Sequence, residues 1–124
     1  MKLLKSLSDI FVRFRYPISL PQDIASDLGY DVSNSMNFNE FILHLTDPCH
    51  RPAKLSRFMP RDQAEDVFRL AKRKERFSQD SLFSYQFKNG WLEFILQFDE
   101  KARLRRLYIH HKDLKQKHEI LISQ

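Results

Sequence analysis

The stretch that most constrains this chain is Ser81 to His111, where apolar residues alternate with polar ones in three runs separated by two turns. Alternation places every second side chain on the same face of a strand, so each run has an inside and an outside. Asn89-Gly90 lies between the first two runs, and Asn-Gly is the strongest short-range hairpin signal, because a type I′ turn needs φ > 0 at both central positions. A two-residue Asn89-Gly90 loop pairs Lys88 with Trp91, Phe87 with Leu92, Tyr85 with Phe94 and Phe83 with Leu96. These three apolar pairs share one face, so turn chemistry and hydrophobic pattern select the same register.

The second turn fixes the third strand. A three-residue loop, Glu100-Lys101-Ala102, sets Asp99 against Arg103, Phe98 against Leu104, Leu96 against Arg106 and Phe94 against Tyr108. It asks Ala102 to adopt a left-handed backbone, but it leaves only one arginine on the greasy face, where loops of two or four residues leave two. The expected core face is then Phe83, Tyr85, Phe87, Leu92, Phe94, Leu96, Phe98, Leu104 and Tyr108. The opposite face carries Trp91, Ile95, Leu107 and Ile109 among Glu93, Gln97, Arg103 and Arg105. A purely solvated sheet face is more polar than that, so either another element or a partner covers it.

Before the sheet the apolar period is helical. Leu3, Leu4, Leu7, Ile10, Phe11 and Phe14 make a stripe that predicts a helix over Met1–Phe14, ended by Tyr16-Pro17. Ser19–Leu28 reads as a short helix with a Ser19–Gln22 capping box and Gly29 as its left-handed stop. Asn37–Leu45 reads as another, capped by Asn37 with Glu40 and turning Phe38, Phe41, Ile42 and Leu45 inward. Cys49–Met59, bounded by prolines, reads as loop. Pro60–Arg76 reads as the longest helix, with Ala64, Val67, Phe68 and Ala71 inward, acids at its start and bases at its end, as the helix dipole favours. In the tail from Lys112, Leu114, His118 and Leu121 suit a helix, whereas Ile120 and Ile122 suit a fourth strand. The expectation is an α+β fold within a single domain over 1–124: N-terminal helices and one long helix packed on a C-terminal three-stranded antiparallel meander, with the tail a candidate fourth strand.

Composition narrows the class. Eleven Phe, four Tyr and one Trp supply a large apolar area for a chain of 124 residues. Cys49 is the only cysteine, so no internal disulfide forms and a reducing, cytoplasmic setting is expected. No apolar run has membrane-spanning length and the first fifteen residues do not read as a signal peptide. The net charge of +5 is uneven: residues 1–62 hold eight basic against seven acidic side chains, and residues 63–124 hold thirteen against nine.

Motifs for chemistry are sparse. His44, Cys49 and His50, with His110, His111 and His118 downstream, match no zinc spacing, and the sequence predicts neither metal nor cofactor. Ser35–Phe41 resembles the end of an EF-hand loop running into its helix, but the first and sixth loop positions would be Gly29 and Asn34, where acid and glycine belong. Gln22–Leu45 resembles a helix-turn-helix, yet its second helix carries no Lys or Arg to meet phosphate or guanine. No glycine-rich phosphate loop and no acid/base pair appears, so no enzymatic activity is expected. Two functions are left. The first is a non-enzymatic, adaptor-like module that binds another protein through Trp91, Ile95, Leu107 and Ile109. The second is binding to nucleic acid or another polyanion through Arg69, Arg73 and Arg76 with Arg103, Arg105 and Arg106, provided these converge.

Overall fold

The computed structural model describes residues 18–31 and 35–124. The helix expected over Met1–Phe14 lies outside them. The described residues form α1 (Pro21–Leu28), α2 (Phe38–Thr46), α3 (Arg61–Asp66) and a five-stranded antiparallel sheet. The strands are β1 (Arg73–Arg76), β2 (Asp80–Phe87), β3 (Gly90–Phe98), β4 (Leu104–His110) and β5 (His118–Ile120), and they neighbour one another in chain order. The fold is α+β as expected, with five strands where three or four were expected, and with no long helix among the described residues.

The β2–β3 hairpin closes one step earlier than the Asn-Gly rule places it. Phe87 pairs with Gly90, so the loop is Lys88-Asn89, Tyr85 meets Leu92 and Phe83 meets Phe94. Gly90 has φ 120, while Asn89 is not among the positive-φ residues, so the type I′ geometry is absent. The register differs from expectation by two residues, an even number, so every side chain keeps its face. Phe83, Tyr85, Phe87, Leu92, Phe94, Leu96 and Phe98 are all buried.

The β3–β4 turn has the expected three residues. The Asp99 N–H bonds the Arg103 carbonyl at 2.9 Å, Phe98 pairs with Leu104, and Ala102 takes the left-handed backbone at φ 58. The register then slips. Gln97 pairs with Arg106, so Arg105 is an extra residue on β4, a β-bulge. Beyond it the faces exchange: Leu107 and Ile109 are 0 % exposed in the core, and Tyr108 turns outward opposite Ile95. The expected placement of Tyr108 inside and of Leu107 and Ile109 outside is thereby corrected.

Pro60–Arg76 is not one helix. The α-helical turns end at Asp66, and the chain coils on through bonds to the third residue back, Phe68 to Glu65 and Ala71 to Phe68. This tighter coil keeps Ala64, Phe68 and Ala71 inward, which is what the stripe encodes. Phe68 stacks on Phe83 at 5.0 Å between centroids. Arg73–Arg76 then pairs with β2 as an edge strand whose four side chains are all exposed. A wholly charged edge resists pairing with another chain, so its charges guard a sheet edge rather than complement a helix dipole.

The other two helices close the core face. In α1 the first position is Pro21, Leu20 is the cap residue without a side-chain bond, and Ile24, Ala25 and Leu28 are buried, so the Ser19–Gln22 capping box does not form. Gly29, at φ 90, bonds back to Ala25 and Ser26, and a β-carbon there would come within 2.8 Å of the Lys54 nitrogen. The Asn37–Glu40 capping box of α2 does form, at 2.8 and 3.2 Å. The tail supplies a strand, with Ile120 and Ile122 buried.

His111 follows β4 and is 1 % exposed against the Phe38 ring, 4.7 Å away. Its Nδ1 accepts the Asp113 N–H at 3.0 Å, and its Nε2 has no hydrogen-bond partner among the described residues. Burial holds its pKa below the ordinary value, ahead of the smaller opposing pull of Asp113. The unfolded chain therefore binds a proton more readily, and stability is full above about pH 6.5, the unfolded imidazole value, and falls as pH drops through it. His44, also held low chiefly by burial, acts in the same direction. A urea midpoint that declines from pH 8 to pH 5, and less steeply in His111→Phe, is the expected result. An unchanged slope in the variant contradicts it.

Candidate functional site

The bulge is the feature that builds a site. In regular alternation Arg105 and Arg106 would point to opposite faces, one into the core. The extra residue leaves both exposed, side by side, between buried Leu104 and Leu107. Bulges re-aim side chains in this way.

The loop after α2 brings two more arginines beside them. Its backbone is tied down at several points. The Lys54 N–H bonds Leu28 O at 3.1 Å, Leu55 is buried, Ser56 bridges Ser123, and the Arg57 N–H bonds Ser123 O at 2.7 Å. The Phe58 N–H bonds Leu104 O at 2.6 Å, and Leu104 returns a bond to Met59 O at 2.9 Å. Arg51, Arg57, Arg105 and Arg106 thus line one recess of about 240 Å³ with Glu119, Leu121, Ile122 and Gln124. Glu119 is the acidic side chain in this lining, and its carboxylate lies 3.9 Å from Arg106 Nε, a loose contact. Arg106 also reaches the Tyr108 hydroxyl at 3.4 Å. Neither Arg51 nor Arg105 has an ion pair among the described residues.

Next to Arg57 in the chain stands Phe58, 51 % exposed, with the Arg57 guanidinium 5.4 Å from its ring and that of Arg103 5.3 Å from it. Its φ of 70 is a conformation that bulky side chains rarely take. The bonds on both sides of it hold it there.

The remaining arginines of the expected polyanion surface do not join this group. Arg69 and Arg76 line a larger recess, about 380 Å³, with Lys74, where Asp62, Glu65, Asp66 and Glu75 balance them over Phe83. Arg76 lies 3.5 Å from Asp62 and 3.4 Å from Glu65. Arg73 places its guanidinium 4.0 Å from the Trp91 ring. Arg103 is held by Asp99 at 2.9 Å. The six arginines therefore divide between β1 and the β4–β5 side, at opposite edges of the sheet.

The expected protein-binding face divides as well. Trp91 and Ile95 are half-buried on the outer face, and Leu107 and Ile109 belong to the core. Ser84 and Gln86, on the outer face of β2, are buried. The histidines near Cys49 form a stack rather than a ligand set: His44 lies 4.3 Å from His50, whose Nδ1 meets Asp47 at 3.0 Å, and Cys49 is exposed. Among the described residues no group of three or more His, Cys, Asp or Glu side chains is placed to hold a metal ion, and no helix is long and apolar enough to cross a membrane.

Sequence reasoning did not single out Arg51, Arg57 or Phe58. Their signal was a cluster of bases, Arg51, Lys54 and Arg57, in a loop without period. No family model, no curated protein and no solved structure matches the chain.

Proposed function

We propose that the chain is a non-enzymatic, cytoplasmic module that binds nucleic acid through its phosphates, at the recess formed by Arg51, Arg57, Arg105 and Arg106. The observation that carries this reading is the bulge at Arg105, which sets two arginines together on the solvent side, where the Arg51–Arg57 loop meets them. Guanidinium is the group best matched to phosphate, since its planar fork donates two parallel hydrogen bonds and is only weakly hydrated. Binding another protein through the sheet face ranks second, because Trp91 and Ile95 alone of its four residues reach the surface.

Binding that rests on phosphate contacts releases counterions, so affinity for mixed-sequence DNA should fall steeply between about 50 and 200 mM salt. Replacing Arg105 and Arg106 together with alanine should flatten the log–log salt slope by about 2, since each phosphate contact contributes about 0.9. Arg69→Ala, which removes an arginine already among carboxylates, should leave the slope unchanged. Fluorescence anisotropy across a salt series measures all three. Absence of binding at low salt, or a slope lowered by Arg69→Ala and not by the double variant, refutes the proposal.

A further inference from the structure

We propose that the arginine recess takes a terminal phosphate, the dianionic monoester at the end of a nucleic-acid strand, and that the adjoining base stacks on Phe58. This rests on the phosphate-binding reading above and names the part of the nucleic acid that is read.

The first observation is shape. Arginines spread over a convex face can each meet a different phosphate along a backbone. Here guanidiniums from two separate segments, the loop with Arg51 and Arg57 and the bulged strand with Arg105 and Arg106, line a single recess of about 240 Å³. Such an arrangement concentrates positive charge on one group. A phosphate monoester, with its second pKa near 6, carries about −1.5 to −2 at pH 7, so a recess of this kind favours it over the singly charged diester of an internal link.

The second observation is an unmet donor. The Nε of Arg57 is buried and has no hydrogen-bond partner among the described residues. A charged group's donor withdrawn from water without an acceptor costs more than an ordinary one, and buried polar atoms of this kind call for a partner. Arg57 lines the recess, and a phosphate that draws its guanidinium outward gives this donor an acceptor of the right charge.

The third observation is Phe58. An exposed phenyl ring flanked by two guanidiniums, on a backbone forced left-handed, is an expensive thing to keep at a surface. A base of any sequence stacks on such a ring, here by taking the place of a guanidinium that the phosphate draws away from it. One ring next to one recess fits one terminal nucleotide.

The experiment compares the full chain's affinity, at a single salt concentration, for one short single-stranded oligonucleotide in three forms: 5′-phosphorylated, 3′-phosphorylated and hydroxyl at both ends. The expected result is at least ten-fold tighter binding to one phosphorylated form, which also identifies the end that is read. Replacing Arg105 and Arg106 with alanine should abolish that preference, and Phe58→Ala should weaken binding of the preferred form at least five-fold. Glu119→Gln, at an exposed position, should tighten it, because the phosphate no longer meets a carboxylate. Equal affinity for the three forms overturns the terminal-phosphate inference and leaves backbone binding standing. A preference that survives the double arginine variant overturns the assignment to this recess. Binding to none of the three at low salt overturns both readings.

Discussion

Replacing Arg61 with alanine should cost about 3–5 kcal/mol, the usual loss when one partner of a buried ionic network is removed. Arg61 opens α3 and is only 8 % exposed. Its Nη1 donates to Ser78 O at 2.8 Å, and its Nη2 donates to Phe77 O at 2.7 Å, Asp80 O at 3.0 Å and Ser81 Oγ at 3.1 Å. Its Nε faces Glu65 at 3.3 Å, and the guanidinium lies 4.7 Å from the Phe98 ring. One side chain thus ties the β1–β2 turn to a helix and covers the end of β3. Without it the Phe77 and Ser78 carbonyls lose their donor, Asp80 O keeps only the Phe77 N–H at 2.8 Å, and Glu65, which also accepts the Ser81 hydroxyl, loses a counter-charge. Arg61→Lys should recover little, since one ammonium cannot span acceptors that a planar fork reaches from two sides. Urea denaturation of the wild type and both variants measures this. A loss under about 1 kcal/mol for Arg61→Ala, the scale of a surface change, refutes the role.

Arg61 also shows where the sequence is legible and where it is not. An arginine in the first turn of a helix opposes the helix dipole, which is a weak sign that its charge is employed elsewhere. Nothing in its neighbours names Ser78 or Phe77, because those contacts cross the sheet turn. The same division runs through the fold. Local signals carried well: Gly29 stops α1, Asn37 and Glu40 cap α2, and Ala102 turns left-handed between β3 and β4. The Asn-Gly hairpin was found, and its two-residue error was harmless because strands have period two. β1 was missed because Arg-Lys-Glu-Arg contains no apolar residue to show a period, and only pairing with β2 makes it a strand. The exposed edge that hides it from pattern reading is the same property that protects the sheet.

The candidate site was half legible for a related reason. Arg105 and Arg106 stood out as adjacent charges, but regular alternation sends them to opposite faces. Arg51 and Arg57 belong to a loop whose position depends on bonds to Leu28, Ser123 and Leu104, none near in sequence. Convergence of charge is a tertiary property. Composition shows that arginines are abundant, and only topology shows that four of them surround one recess while Arg69 and Arg76 sit among carboxylates.

Leu107→Ala should destabilise the protein by about 2–5 kcal/mol, as removal of a fully buried leucine does. On β4 the inward residues are Leu104, Leu107 and Ile109. The step from Leu104 to Leu107 is three residues and the step from Leu107 to Ile109 is two. That irregular spacing, Leu-Arg-Arg-Leu followed by Tyr-Ile, is what a bulge looks like in sequence: one polar residue too many for alternation. Leu107 pairs with Leu96 on one side and Ile120 on the other, so its loss opens a cavity between three strands. Without the bulge Leu107 would lie on the outer face, where truncation usually changes stability by no more than about 0.5 kcal/mol. Tyr108→Ala discriminates further, because the two registers reverse which residue is inside. With the bulge, Leu107→Ala should cost more than Tyr108→Ala, and chemical-denaturation midpoints decide the order. Deleting Arg105 should preserve the core, because Leu104, Leu107 and Ile109 then alternate strictly, while the recess loses one of its four guanidiniums. A variant that keeps its denaturation midpoint but loses salt-sensitive DNA binding would tie the bulge to function rather than to folding. If Tyr108→Ala proves the costlier change, the strand has no bulge, Arg105 and Arg106 do not lie together, and the arginine recess falls with them.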